Sequence, residues 1–114
     1  MSQFYCQTSY EGSVFIIRTN GYLDENGGRQ IRKALDEALP KGFLSFMLNF
    51  MGSPVINSQG IAQLIELTEI IIDEKKGKVA FVGLNELTLS VFRMVGLLKM
   101  GTAYPDENSA IENL

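Results

Sequence analysis

Residues 57–60 read Asn-Ser-Gln-Gly and lie between two strongly apolar stretches, FLSFMLNF and IAQLIELTEIII. The first reads as a buried strand and the second as a helix, so the Ser58 hydroxyl falls at a strand-to-helix junction. Serine at such a place serves as an N-cap, worth about 1 kcal/mol over alanine. A helix start also accepts an added phosphate, because its first N–H groups and its dipole favour negative charge. The capping and regulatory readings of Ser58 are compatible.

Other chemistry is restricted by what the chain lacks. Its 114 residues include no His, which removes the commonest general base and metal ligand. One cysteine, Cys6, makes neither a thiolate zinc cage nor an internal disulfide. Serine hydrolase, zinc enzyme and cysteine protease are all disfavoured, and no paired-acid motif stands out. No catalytic residue, metal site or cofactor is expected. A net charge of -3 with scattered Lys and Arg gives no footprint for nucleic acid. No apolar run reaches the roughly 18 residues needed to cross a bilayer, so no direct membrane insertion is expected. The N-terminal MSQFYCQTSYEG is polar and has no signal-peptide pattern, which leaves a cytoplasmic location as the expectation.

The elements that position Ser58 follow from local patterns. FYCQTSY and SVFIIRT flank Glu11-Gly12 and predict a β-hairpin. Ile31, Ala34, Leu35, Ala38 and Leu39 recur at helical spacing, with Arg32, Lys33, Asp36 and Glu37 on the wet side. Gly27 and Gly28 would cost about 1 kcal/mol each inside a helix, so this helix is predicted to start after them. FLSFMLNFM is apolar on both strand faces, as a central strand covered on each side would be. The next helix is predicted from Ser58 to about Lys75, burying Ile61, Leu64, Ile65, Thr68, Ile71 and Ile72. KVAFVGL reads as a strand, NELTLSVFRMVGLLKM as a helix capped by Asn85, GTAYPD as a short β-like segment and ENSAIENL as a terminal helix. The expectation is one α/β domain over residues 1–114, with a mixed or parallel sheet of about four to five strands covered by about four helices.

On a helical wheel Ile70 lies opposite that buried stripe, beside Gln63 and Glu66. A single exposed Ile is ordinary; the sharper reading makes it an anchor for a partner on the outer face of the helix. Glu66, Glu69 and Asp73 read as a solvated face or as a contact for a basic surface. Asp24 reads as a turn or cap residue, or as a neighbour of the Ser58 loop. Gly60 either eases the start of the helix or permits a close backbone approach. Cys6 reads as a small buried apolar residue, and Met94 and Met100 as packing residues.

The order of these motifs resembles a STAS domain, the module of anti-sigma factor antagonists and of sulfate-transporter tails. Gly21-Tyr22-Leu23-Asp24 is similar to the family's Gly-x-Leu-Asp, Leu48-Asn49-Phe50 to its Leu-Asp-Leu, and Asn57-Ser58-Gln59-Gly60 to its Asp-Ser-Ser-Gly. VFRMVGLLKM and the closing Ser-Ala-Ile resemble its last two helices. The resemblance runs from about Phe4 to the C-terminus. It implies that Ser58 is the phosphorylation site and that the partner is an anti-sigma factor or related protein serine kinase, with a phosphatase to reverse the mark. Together with the helical wheel, this gives an expected partner-binding surface made of the Gly52–Gln59 loop, the outer face of the following helix and the Gly21–Asp24 loop, with Asp24, Asn57, Ser58, Gln59, Gln63, Glu66 and Ile70 in it. Two departures stand out: both motif aspartates are amides here, Asn49 and Asn57, and Gln59 replaces the second hydroxyl. They remove two negative charges from around Ser58 and keep its acceptor hydroxyl.

The function expected is thus a regulatory binding module that acts in partner switching. The rival within the same fold is an unphosphorylated scaffold in a signalling or transporter-associated complex. The rival outside it is an enzyme, against which the missing His and metal-ligand cluster argue.

Overall fold

The computed structural model of the chain describes residues 3–114; Met1 and Ser2, part of the polar N-terminal stretch, lie outside them. Strand β1 (Tyr5–Glu11) and strand β2 (Val14–Asn20) form the hairpin, closed by Gly12-Ser13, one residue later than the sequence pattern placed the turn. Then follow α1 (Glu25–Ala38), β3 (Ser45–Gly52), α2 (Ser58–Glu69), β4 (Lys78–Val82), α3 (Glu86–Met94), α4 (Leu97–Met100), β5 (Thr102–Tyr104) and α5 (Glu107–Asn113). The five strands form one sheet in the order β1-β2-β3-β4-β5; β1 is antiparallel to β2, and every other pair is parallel.

Strand β3 is central, and alternation along it divides the core. Phe46, Leu48 and Phe50 meet Ile31 and Leu35 of α1, Leu64 and Leu67 of α2, and Phe92 of α3 in one cluster. Met47 points the other way, with Val14, Ile16, Ala80 and Val82, under Ala110 of α5. This two-sided cover explains why the β3 sequence shows no polar alternation.

Four local expectations need correction. Helix α1 begins at Glu25, capped by the Asp24 carboxylate, which accepts from the Gly27 N–H at 2.9 Å, and it includes both glycines. Their cost is offset by packing: a Cβ on Gly28 would sit 2.4 Å from the Gln63 Cβ, so only glycine lets α1 and α2 approach this closely. The third helix is broken in two by Gly96, which takes φ +88. In α2 the buried face is Ile61, Leu64, Leu67, Thr68 and Ile71, while Ile65 and Ile72 are only half-buried; α1 lies along the Leu67 side and rotates the core stripe toward it. Finally, Met94 is 79% exposed rather than packed, whereas Met100 does lie against the core. Beyond Glu69 the helix widens into a π turn over Ile70–Glu74, closed by the Lys75 N–H on the Ile70 carbonyl at 3.0 Å.

Candidate functional site

Parallel strands β2, β3 and β4 all end on one margin of the sheet, and the loops that follow them are joined there. The Gly21 N–H donates to the Gly52 carbonyl at 2.8 Å, and the Leu23 N–H to the Val55 carbonyl at 3.1 Å. Leu23 also accepts from the Asn57 N–H at 3.0 Å, and it forms an isolated parallel bridge with Ile56. From the third loop, Asn85 Nδ2 donates to the Pro54 carbonyl at 3.0 Å while Asn85 Oδ1 caps α3. Beneath them the buried hydroxyls of Thr19 and Ser53 bond at 2.8 Å. The Gly21–Asp24 segment and the Gly52–Asn57 segment thus form a single rigid rim.

At the end of this rim stands Ser58, and its place differs from the capping expectation. The N-cap is Asn57, whose Oδ1 accepts from the Gly60 N–H at 2.9 Å. Asn and Ser cap equally well, so the chain leaves the helix conformation one residue earlier than the Ser58 reading required. Ser58 is the first helical residue and is exposed. Its hydroxyl takes no part in the hydrogen bonds that hold the rim. Gly60 lies against the Leu23 carbonyl, which a Cβ would approach to 2.5 Å; the close backbone approach it permits is within the chain.

Around Ser58 its own stretch of chain is apolar or neutral, and the adjoining segments bring the Asp24 carboxylate and the exposed Glu86. From Gly42 to Ile65 no residue is charged. Tyr22 and Val55, from the first two loops, and Leu87 (74% exposed), at the start of α3, present large apolar side chains, and Met51 (70% exposed), near the end of β3, presents another on the sheet face that carries Arg18 and Asn49. A shallow cavity of about 280 Å³ opens between Asn20, Gly21, Tyr22, Gly52, Pro54 and Val55. The Gly52–Gln59 loop expected at this surface contains Val55, whereas sequence reasoning missed Met51 and Leu87. Each lies in an apolar run that reads as core, and only the end of the sheet turns them outward.

The expected partner-binding residues are not all gathered at this rim. Asp24, Asn57, Ser58 and Gln59 are, although Asp24 and Asn57 have their carboxylate and amide oxygens committed as helix caps. Gln63 lies against Gly28 of α1, and Glu66 faces Arg32 of α1 at 3.5 Å. Ile70 falls between these two on the wheel and is half-buried. The row Gln63–Glu66–Ile70 therefore borders α1 and is not the outward face of α2. That face carries Ala62, Glu69 and Asp73, all exposed, while Gln59, also exposed, begins the Gln63–Glu66–Ile70 row at the N-terminal end of α2. Ile70 is twelve residues beyond Ser58, about 18 Å along the helix at 1.5 Å per residue.

Electrostatics are concentrated one strand width away. The Glu107 carboxylate receives Arg18 Nε and Nη2, each at 2.8 Å, and Asn49 Nδ2 at 2.7 Å. The Arg18 hydrogen bond holds Glu107 below its ordinary range, burial works against it, and the Asn49 amide adds to the lowering. Burial pushes the half-buried Cys6 thiol up, away from the reactive thiolate. Among the described residues no His, Cys, Asp or Glu cluster is placed to hold a metal ion, and no helix is long and apolar enough to cross a membrane.

A family model described as the STAS domain matches residues 5–110. Among solved structures, the Thermotoga maritima protein TM1081 superposes with a TM-score of 0.83 at 22% identity, over 95% of this chain and 92% of that one. An anti-sigma factor antagonist from Mycobacterium paratuberculosis gives 0.82 at 15% identity, over 97% and 93%. The Bacillus cell fate determinant SpoIIAA, in its phosphorylated form, gives 0.74 at 21% identity, over 96% and 98%. No curated protein sequence matches the chain.

Proposed function

The chain belongs to the STAS domain family, and from that footing we propose that it is a regulatory binding module of the anti-sigma factor antagonist type, switched by phosphorylation of Ser58. The observation that carries this reading is the exposed, uncommitted Ser58 hydroxyl at the edge of an apolar rim, within a stretch, Gly42 to Ile65, that has no charge of its own. A partner docked on Tyr22, Val55 and Gln59 would cover that hydroxyl. A phosphate there would bring about -1.5 to -2 charges into a stretch that otherwise has none. Desolvating it at an interface costs several kcal/mol, whereas a hundredfold loss of affinity needs only about 2.7 kcal/mol. The first turn of α2 and the Asn57 amide leave the modified chain folded, because both tolerate a neighbouring anion.

In this reading the chain supplies only the acceptor oxygen. The partner, an anti-sigma factor or related protein serine kinase, brings nucleotide, metal and base; Ser58 Oγ takes the γ-phosphoryl group and its proton passes to the kinase. A phosphatase returns the free hydroxyl. The chain is then a binding module and not an enzyme, and it works as a single domain in the cytoplasm. Asp24 contributes by fixing the first loop, Asn57 by fixing the second, and Gln59 by direct contact. Gln63, Glu66 and Ile70 extend the surface only for a partner that also reaches α1.

A second reading has one observation of its own. Asn49, at one of the family's aspartate positions, has both ends of its amide engaged in structural hydrogen bonds, and Asn57, at the other, has its oxygen engaged as the α2 cap, which suits a scaffold that binds through the same rim without modification. Intact-mass analysis of protein from its own cells separates the two, with fragmentation to locate any added phosphate. Phosphate on Ser58, with capture of a kinase by Ser58→Ala and not by Ser58→Asp, is the expected result. An unmodified chain under growth and stress, with both variants binding equally, would leave the scaffold reading standing instead.

A further inference from the structure

Strand β1 is an outer strand of the sheet, and its seven residues are all exposed except the half-buried Cys6. Its hydrogen-bonding phase is set by the hairpin. Glu11 pairs with Val14 across the two-residue turn, where Gly12 takes φ +59. The pair that flanks such a turn exchanges both of its backbone hydrogen bonds, and bonded pairs then alternate along the ladder. Tyr5, Gln7, Ser9 and Glu11 therefore bond to β2, while Cys6, Thr8 and Tyr10 turn their N–H and C=O groups to the open edge. Among the described residues no loop or cap hydrogen bond reaches those three.

Proteins protect such an edge by keeping it short or by placing Lys, Pro or a bulge on it. Strand β1 has none of these. Its register runs unbroken from Tyr5↔Asn20 to Glu11↔Val14, and its single charge, Glu11, is at the final position. We infer that a second copy of this chain occupies the edge, β1 against β1 in antiparallel fashion, with the two-fold axis through Thr8. Thr8 then faces the second copy's Thr8, Cys6 faces its Tyr10, and Tyr10 faces its Cys6. Each of these pairs is in the outward, hydrogen-bonding phase. The charges fit the same arrangement: Glu11 falls opposite the second copy's Tyr5, so the two acidic groups lie at opposite ends of the paired strands. Tyr5 and Tyr10, both exposed in the single chain, gain cross-strand neighbours.

The symmetry has a consequence for the Ser58 rim. Because β1 is antiparallel to β2 within each copy and to β1 between copies, the two sets of parallel strands point in opposite directions. The two rims lie on opposite margins of one continuous sheet and both stay open, so the dimer binds two partners independently.

Sedimentation equilibrium of the full chain tests the pairing. The expected result is a concentration-dependent species of twice 12.7 kDa. Thr8→Pro deletes an N–H that faces only the open edge, so it leaves the β1–β2 ladder intact and weakens association by about tenfold or more. Should circular dichroism show that Thr8→Pro does not fold, Thr8→Lys at the same position decides. Hydrogen exchange gives the register: the Cys6, Thr8 and Tyr10 amides are protected at high concentration and exposed on dilution. A monomer up to about 1 mM, or a dimer unaffected by the folded variant, overturns the inference.

Discussion

Asn49 and Glu107 meet across the sheet face, the Asn49 Nδ2 donating to Glu107 Oε2 at 2.7 Å. The other end of the same amide accepts the Met51 N–H at 2.9 Å. One side chain thereby links α5 to the segment that leads to the Ser58 rim. An aspartate at this position could still accept from Met51 but would confront the Glu107 carboxylate.

Asn49→Asp is therefore expected to destabilise the fold by about 1–2 kcal/mol at neutral pH, the usual cost of replacing a partly buried hydrogen bond with a repelling contact. The added carboxylate is harder to ionise in the folded chain than in the unfolded one. Its folded pKa is raised, so the penalty is present at neutral pH and shrinks as pH falls through the carboxylate range. Urea denaturation of both proteins between about pH 7 and pH 4 measures it. A constant difference across that range would rule out the electrostatic account.

Glu107→Gln tests the opposite sign. Arg18, and after burial Asn49, hold the Glu107 pKa below its ordinary 4.5. A lowered carboxylate pKa contributes stability that is present above the ordinary value and lost as pH falls through the folded one. Arg18 is 41% exposed, so solvent screening keeps the contribution to about 0.5–1 kcal/mol. The variant should be weaker than the parent at pH 7 and match it in acid, read by thermal melts across pH.

The capping assignment separates two adjacent residues. Asn57→Ala removes the acceptor for the Gly60 N–H and should cost about 1 kcal/mol. Ser58→Ala removes no hydrogen bond of the rim and should change stability by less than about 0.5 kcal/mol. If Ser58→Ala proved the more damaging of the two, the cap would lie at Ser58 after all. The near-neutrality of Ser58→Ala is also what makes it a clean binding variant.

Gly28→Ala, favourable by about 1 kcal/mol on helix propensity alone, should instead destabilise by about 1–3 kcal/mol. The new Cβ would meet the Gln63 Cβ and Cγ at 2.4 and 2.6 Å, which forces α1 and α2 apart. Adding Gln63→Ala relieves the Cγ contact but not the Cβ one, so rescue should be partial. Chemical denaturation of the two single variants and the double variant measures this coupling.

Much of the fold was legible in the sequence because the signals are local. The β-hairpin, the apolar β3, the Asn85 cap and the brief helix of Glu107–Asn113 each follow from residues a few positions apart. The order of Gly21–Asp24, Leu48–Phe50 and Asn57–Gly60 likewise pointed to the STAS domain family. Less visible were features whose cause lies on another element. Gly27 and Gly28 read as helix breakers until Gln63 is placed against them. The cap passed from Ser58 to Asn57 because the Leu23 carbonyl fixes the Asn57 backbone. Gln63, Glu66 and Ile70 read as an outer face because a wheel carries no information about a neighbouring helix.

The sequence by itself determined the succession of strands and helices, the absence of histidine chemistry and the hydroxyl at the start of α2. Periodicity, caps and composition act within one segment. Tertiary structure alone decided which apolar residues face outward at the end of the sheet, which side of α2 borders α1, and that Asn49 answers to Glu107. Those outcomes depend on contacts between residues far apart in the chain, 58 positions apart for the last pair, and no local pattern encodes them.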